Sequence, residues 1–379
     1  MKIAINCMFC TPESGGIKEY IVNLTHNLYS IDNENEYVFY ALEDHLDYVK
    51  CQLPSSNRIK AIPYKSGLLS KINRSLFSQS YWSREEEMEQ FDIFHSPFFY
   101  APKFKSAKLI ITVHDMRLYR FPNTYPFLRL IFLRYSVKNS LKRADTIIAV
   151  SQFTKNEIIE CCKINDSKIK VILEAIDRAS FSTNSLSDYS LPIEYKQLEK
   201  NRFLFSLGHV EPRKNYIRLL EAFKLMKANP KFYDLKLVIA GRLNWKSKKV
   251  KSAFENTNDV IYLNFIPRDF LLWLYKNATL FVFPSYYEGF GFPPLEAACL
   301  GCVSAVSNVS SIPEVCGDSA FYFDPFNAKD ICKTISSCLD NPEQIEIKRS
   351  CLVEQLEKFS WRENAKQTLE VYRCLVGIQ

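Results

Sequence analysis

Two glutamates separated by seven residues, Glu288 and Glu296, sit in the segment FPSYYEGFGFPPLEAACLGC. Gly289, Gly291, Pro293 and Pro294 lie between them and forbid one continuous helix. Glu288 is therefore expected in a Gly-rich loop after a strand, and Glu296 in the first turn of a helix begun by the prolines. The loop amides and the helix N-terminus form an anion cradle, and carboxylates beside it can accept hydrogen bonds from sugar hydroxyls. A glutamate early in a helix also complements the helix dipole. That role alone does not account for two glycines, two prolines and two glutamates in one stretch. Upstream, SLGHVEPRKNYIRLLEAF places Gly208 at a tight turn and Arg213-Lys214 at the mouth of a helix. Cations are unfavourable there unless an anion compensates, and a diphosphate would. In the N-terminal half, Gly15-Gly16 open a helix where the backbone can approach an anion. His114-Asp115 end a strand, and Ser151 is read as a helix cap.

These residues need a scaffold that brings strand ends together. KIAIN, EYVFYAL, RIKAI, FDIFHSP, AKLIITVHD, ADTIIAVS and KIKVIL are short apolar runs alternating with helical stretches such as Ile17–Tyr29 and Thr154–Cys162. The alternation predicts a parallel sheet covered on both faces over residues 1–174. Residues 175–201 are rich in Ser, Asp and Pro and lack periodicity, as a linker would. RFLFSLG, LKLVIAG, VIYLN, TLFVFPS and CVSAVS then restart the pattern over 202–358. The tail, 359–379, reads as helix, with a start at Ser360-Trp361. The fold class is α/β, with two Rossmann-like domains. Ligands of such sheets bind beyond the carboxyl ends of the strands, and two sheets would face a central cleft there.

Composition sets the limits. With 379 residues, 47% hydrophobic and 24% charged, the chain has material for two cores. Net charge is +7, an excess compatible with anionic ligands, and no nucleic-acid motif accompanies it. Twelve cysteines are scattered, apart from the adjacent pair Cys161-Cys162 and a C-x-x-C at Cys7 and Cys10, which is expected on the first strand. Scattered thiols indicate a reduced, cytoplasmic setting better than a disulfide framework or a metal site. The apolar N-terminus is too short for a signal peptide, and no run approaches the roughly 18 apolar residues that span a membrane. Residues 117–143 carry seven Lys or Arg and no acid, interleaved with aromatic and aliphatic residues. That composition suits an anionic membrane surface and equally a core helix with a solvated basic face.

YEGFGFPPLEA with its E-x7-E spacing, GHVEPRKN before it, SNVSSIPEVCGDSAFYFDP after it and the early SGGI loop resemble glycosyltransferase family 4, along essentially the whole chain. The resemblance implies a retaining enzyme of GT-B architecture: an acceptor-binding N-terminal domain, a nucleotide-sugar-binding C-terminal domain, and a last helix that crosses back to the first. By residue, it implies that Arg213 and Lys214 hold the donor diphosphate, Glu296 the ribose and Glu288 the donor sugar's hydroxyls. It further implies that Phe290, Gly291 and the amides up to Leu295 line the diphosphate, that Gly16 closes on the phosphates, and that His114 lies near the transferred sugar. Glu288, His114, Arg213 and Lys214 are thus the expected catalytic group, and no metal is indicated, since there is no D-x-D motif. The implied donor is GDP-mannose or a UDP-sugar. The implied acceptor is a saccharide or a polyprenyl-diphosphate-linked saccharide in cell-surface polysaccharide synthesis, met on the inner face of the cell membrane. Ala175, where the family often has glycine, His209 and ACLGC depart from the family pattern. An epimerase or phosphorylase of the same architecture, or a non-catalytic carbohydrate-binding subunit, is the competing reading. The latter would be expected to lose one of the four catalytic candidates.

Overall fold

The computed structural model describes residues 1–54, 58–63, 68–182, 189–199, 202–243 and 248–377, without the side chains of 68–78, 199 and 248–249. Parts of the expected linker (183–188 and 200–201) and the last two residues of the tail lie outside the described residues. The chain divides into two units: Met1–Ala175 with Ser360–Gln379, and Ile176–Phe359.

The first unit contains β1 (Lys2–Asn6), β2 (Glu36–Leu42), β3 (Arg58–Ile62), β4 (Ile93–Ser96), β5 (Lys108–Val113), β6 (Thr146–Ala149) and β7 (Ile169–Val171). They form one parallel sheet in the order β3-β2-β1-β4-β5-β6-β7. Its helices are α1 (Gly16–Ile31), α2 (Leu46–Gln52), α3 (Leu68–Glu89), α4 (Arg117–Arg120), α5 (Phe127–Arg143) and α6 (Gln152–Cys162). The strands are apolar on both faces because helices cover both, which is why their sequences run as continuous hydrophobic stretches. Ala4, Phe94, Ile111 and Ile147 meet Trp82 of α3 and Val137 and Leu141 of α5 in one core cluster. Ser151 caps α6 by accepting the Thr154 amide at 3.0 Å.

The second unit contains β8 (Phe203–Leu207), β9 (Lys236–Ala240), β10 (Val260–Leu263), β11 (Leu280–Phe283), β12 (Ser304–Ser307) and β13 (Ala320–Phe323), in the parallel order β10-β9-β8-β11-β12-β13. Its helices are α7 (Tyr216–Lys227), α8 (Lys248–Glu255), α9 (Arg268–Asn277), α10 (Phe292–Cys299), α11 (Ile312–Cys316), α12 (Ala328–Asp340), α13 (Pro342–Ser350) and α14 (Leu352–Glu357). Where it is described, the stretch before β8 packs on this unit: Leu191 and Leu198 are buried in its core, and Tyr189 and Tyr195 lie against Phe270. The final helix, α15 (Trp361–Val376), belongs to the first unit and packs along α1. In both sheets the strand order reverses once, between β1 and β4 and between β8 and β11, which creates a crevice at the carboxyl ends of those strands.

Two sequence expectations are corrected. Cys7 and Cys10 do not lie on β1, which ends at Asn6. They follow it in a turn closed by the Cys10 amide on the Cys7 carbonyl at 2.8 Å. Burial raises both thiol pKa values, that of Cys10 to about 11, so they stay protonated as packing groups. Glu296 is not in the first turn of its helix, because α10 already begins at Phe292 with Gly291 as its N-cap.

Candidate functional site

In the second unit the site is built at the reversal point. The loop after β8 carries Gly208 through Lys214, and the loop after β11 carries Pro284 through Gly291. Lys214 Nζ and Arg213 Nη1 each lie 2.7 Å from Glu288, on separate carboxylate oxygens. Arg213 Nε meets Glu211 at 2.6 Å, and its Nη1 also donates to the Tyr287 carbonyl at 3.0 Å. Lys214 is 6% exposed and stands 4.6 Å above the Phe283 ring. Burial lowers its pKa, with the Glu288 charge acting against the shift. Burial alone would raise Glu288, but Arg213 and Lys214 outweigh it and hold the carboxyl at about 2.

The backbone around this cluster is fixed by few residues. Asn215, in the left-handed region at φ 58°, donates through Nδ2 to the carbonyls of Pro284 and Pro325, at 3.0 and 2.8 Å. It thereby ties together the loops after β8, β11 and β13. Gly208 leaves room for Lys214: a Cβ there would lie 3.0 Å from Lys214 Cε. A Cβ on Gly241 would stand 2.1 Å from the Gly208 carbonyl oxygen, so the ends of β8 and β9 touch backbone to backbone. Ser310 Oγ accepts the Glu288 amide at 3.2 Å, and Ser311 Oγ donates to the Glu288 and Phe290 carbonyls at 2.9 and 2.6 Å.

Gly291, at φ +115°, turns the chain into α10. Phe290 and Leu295 are buried, Phe290 packing edge-on to Phe292 and Phe359, so these positions can offer a ligand only their backbone. Glu296 accepts a hydrogen bond from the Tyr275 hydroxyl at 2.7 Å. The structure thus brings Arg213, Lys214 and Glu288 into direct contact and sets Phe290, Gly291, Leu295 and Glu296 along the adjoining loop and helix. Gly16 and His114 lie in the first unit, Gly16 as the first residue of α1 and His114 directly after β5. Tyr20 of α1 meets the His114 ring edge-on at 5.0 Å. The sequence reading missed Glu211 and Tyr275 as partners in this site. It also missed Glu174, whose Oε1 lies 2.5 Å from His114 Nδ1; its only signal was a carboxylate directly after the apolar run KIKVIL.

Two doubly wound parallel sheets, one carrying a buried lysine, its half-buried arginine neighbour and two glutamates near its reversal point, are the architecture of GT-B glycosyltransferases. The family model described as Glycosyl transferases group 1 matches residues 192–358, and that of Glycosyltransferase Family 4 matches residues 14–180. O-antigen chain mannosyltransferase B of Escherichia coli is 31% identical over 286 residues, which are 75% of this chain and 74% of that protein. Serotype-specific mannosyltransferase WbdA of Escherichia coli is 35% identical over 248 residues; the match takes 62% of this chain but only 29% of WbdA. Among solved structures, Anabaena HepE in complex with UDP and glucose has a TM-score of 0.73 at 17% identity, over 99% of this chain and all of that one. The chain belongs to glycosyltransferase family 4, and it is an enzyme of that class.

Proposed function

We propose that this enzyme transfers a hexose, mannose in preference, from a nucleoside-diphosphate sugar to a saccharide or lipid-linked saccharide in cell-surface polysaccharide synthesis, with retention of configuration. The observation that carries the reading is the contact of Arg213 and Lys214 with Glu288 at the β8/β11 reversal point. The names of the E. coli relatives favour mannose and O-antigen chains, and HepE's UDP supports a nucleotide donor. GDP-mannose and UDP-sugars are both to be tested.

In this reading the second unit binds the donor and the first binds the acceptor. The donor's diphosphate takes over the two cations that Glu288 otherwise neutralises, and Glu288 turns to the sugar hydroxyls. Glu296 holds the ribose. As the bond from the sugar's C1 to the diphosphate oxygen breaks, charge grows on that oxygen. Arg213, Lys214, the amide N–H groups of Phe290, Gly291, Phe292 and Leu295, and the α1 N-terminus at Gly16 stabilise it. The acceptor hydroxyl attacks C1 on the same face and passes its proton to the departing phosphate oxygen. His114 lies beside the transferred sugar.

Helix α5 would bring the enzyme to its acceptor. Phe127, Leu128 and Tyr135 are 74%, 80% and 70% exposed, and Ile131 and Phe132 are half-exposed. Arg129, Lys138 and Lys142 are exposed on the same helix. Apolar side chains among cations fit an anionic bilayer, which accepts both. Among the described residues no helix is long and apolar enough to cross a membrane. Attachment would therefore be from one face, the inner face of the cell membrane.

A thermal-shift screen with GDP-mannose and UDP-sugars tests the donor. A ligand at 100 times its Kd should add about 2.7 kcal/mol to the stability of the folded state. Lys214→Ala and Glu296→Ala should each abolish both the shift and transfer while remaining folded. Near-normal turnover in either variant would remove the site assignment.

A further inference from the structure

The His114 ring is gripped at both nitrogens. Nδ1 lies 2.5 Å from Glu174 Oε1, and Nε2 lies 2.9 Å from the carbonyl oxygen of Pro97. A peptide carbonyl only accepts, so Nε2 carries a hydrogen. The other nitrogen faces a carboxylate that is 3% exposed. Tyr20 closes a further side of the ring. Glu174 is held in turn: the Leu173 carbonyl before it accepts Asn364 Nδ2 of α15 at 2.7 Å.

The neighbouring histidine is in the opposite state. His95 meets hydroxyls only, Tyr372 at Nδ1 (2.6 Å) and Thr112 at Nε2 (2.8 Å). Burial, with the His114 charge adding to it, pushes the His95 pKa down to about 3, so its ring is neutral. For His114, burial also acts downward. The Glu174 charge and hydrogen bond outweigh it, joined by the Pro97 carbonyl and the Asp115 charge, and the pKa rises above its ordinary value. Among the described residues, the titratable groups facing this ring are His95 of β4, Asp115 just after β5, Tyr20 of α1 and Glu174 after β7.

We propose that Glu174 is a positioning residue for His114, holding its ring as a doubly hydrogen-bonded imidazolium at the carboxyl end of β5, so that His114 serves transfer as a fixed cation and not as a proton acceptor. The proposal rests on placing His114 beside the transferred sugar. A general base needs a free lone pair within reach of the proton it takes. Neither nitrogen of His114 has one unless a contact to Pro97 or Glu174 breaks. The acceptor's proton must therefore leave by another group, and the departing diphosphate oxygen is the one that gains basicity as the sugar leaves. Glu174 keeps the cation present across neutral pH, where an ordinary histidine would lose it.

Histidine ring 15N spectra test this on the full chain, which has only five histidines; His114→Gln assigns the signals. In the wild type both His114 nitrogens should remain of the N–H type from pH 6 to 8. In Glu174→Gln, which keeps the side-chain shape, burial acts without that charge against it and the ring should titrate at or below the ordinary value of about 6.5. Turnover of GDP-mannose by that variant should fall about thirtyfold or more at pH 8, for the factor of ten per pH unit that an essential cation obeys. The alkaline limb of kcat should move down by at least one pH unit, with donor KM changed less than twofold, and Glu174→Asp should restore part of the shift. A nitrogen without hydrogen on wild-type His114 at pH 7, or an unmoved pH profile in folded Glu174→Gln, would overturn the proposal. Full activity in His114→Gln would overturn instead the reading beneath it, and the wild-type spectrum tells the two failures apart.

Discussion

Glu288 holds Lys214 and Arg213 through separate oxygens, and Lys214 has almost no solvent to fall back on. Glu288→Gln leaves that ammonium buried without its counter-charge, which costs about 3 kcal/mol in comparable buried pairs. The urea midpoint at pH 7 should drop accordingly. The carboxyl sits at about 2 against an ordinary 4.5. Its contribution is therefore complete above about pH 4.5 and is lost as the pH falls through 2. The gap between wild type and variant should close over that acid window, and equal midpoints at pH 7 would show that the pair adds nothing. The sequence made the need for this anion legible, since adjacent cations at a helix mouth are unfavourable alone. It did not supply the partner, because Glu288 lies 74 positions from Lys214. The two meet only because β8 and β11 are neighbours at the sheet's reversal point. Glu174 was hidden for the same reason, lying 60 positions from His114.

Among the elements, the strands were legible except β13, and one long helix was not. Continuous apolar runs such as LIITV and FLFSL are what a sheet covered on both faces demands, and they became β5 and β8. Helix α3 escaped because its inward face is not purely apolar. Its buried positions include Trp82, Glu85, Glu86 and Glu89. Lys60 meets Glu85 and Lys2 meets Glu89, while Glu86 accepts the amides of Lys105, Ser106 and Ala107. Carboxylates satisfied in this way replace the hydrophobic stripe that periodicity detects. Helix α5 shows the converse, apolar residues left in solvent. Phe127→Ser with Leu128→Ser removes side chains that the fold leaves mostly in solvent, so stability should change by less than about 0.5 kcal/mol. Co-sedimentation with vesicles containing anionic lipid should fall by more than tenfold. Lys138→Glu with Lys142→Glu should weaken it too, by about 1 kcal/mol per residue, and added salt should mimic that change. Wild-type sedimentation indifferent to salt and lipid charge would refute the membrane role.

At the scale of the whole molecule, the chain leaves the first unit at Ala175, builds the second, and returns at Ser360 to complete the first. The return is structural in a specific sense. Helix α15 buries Trp361, Ala365, Leu369 and Tyr372, and it packs along α1, whose Tyr20 meets Trp361. Its Tyr372 hydroxyl and Asn364 amide satisfy groups deep in the unit, His95 and the Leu173 carbonyl. Removing the helix uncovers the apolar face of α1 and strips a buried histidine of one partner, and it also releases the backbone that carries Glu174. The second unit keeps its own continuous core from Leu191 to Ala320. A chain ended at Phe359 should therefore lose the cooperative thermal transition of the first unit and expose tryptophan there, Trp82 being its remaining one. The nucleotide-dependent thermal shift assigned to the second unit should persist, because Arg213, Lys214, Glu288 and Glu296 all precede the cut. Calorimetry of the truncated chain with and without GDP reads both outcomes. A truncated chain with the full-length transitions intact would show that the first unit does not need its last helix, and loss of the GDP response would show that the nucleotide site does.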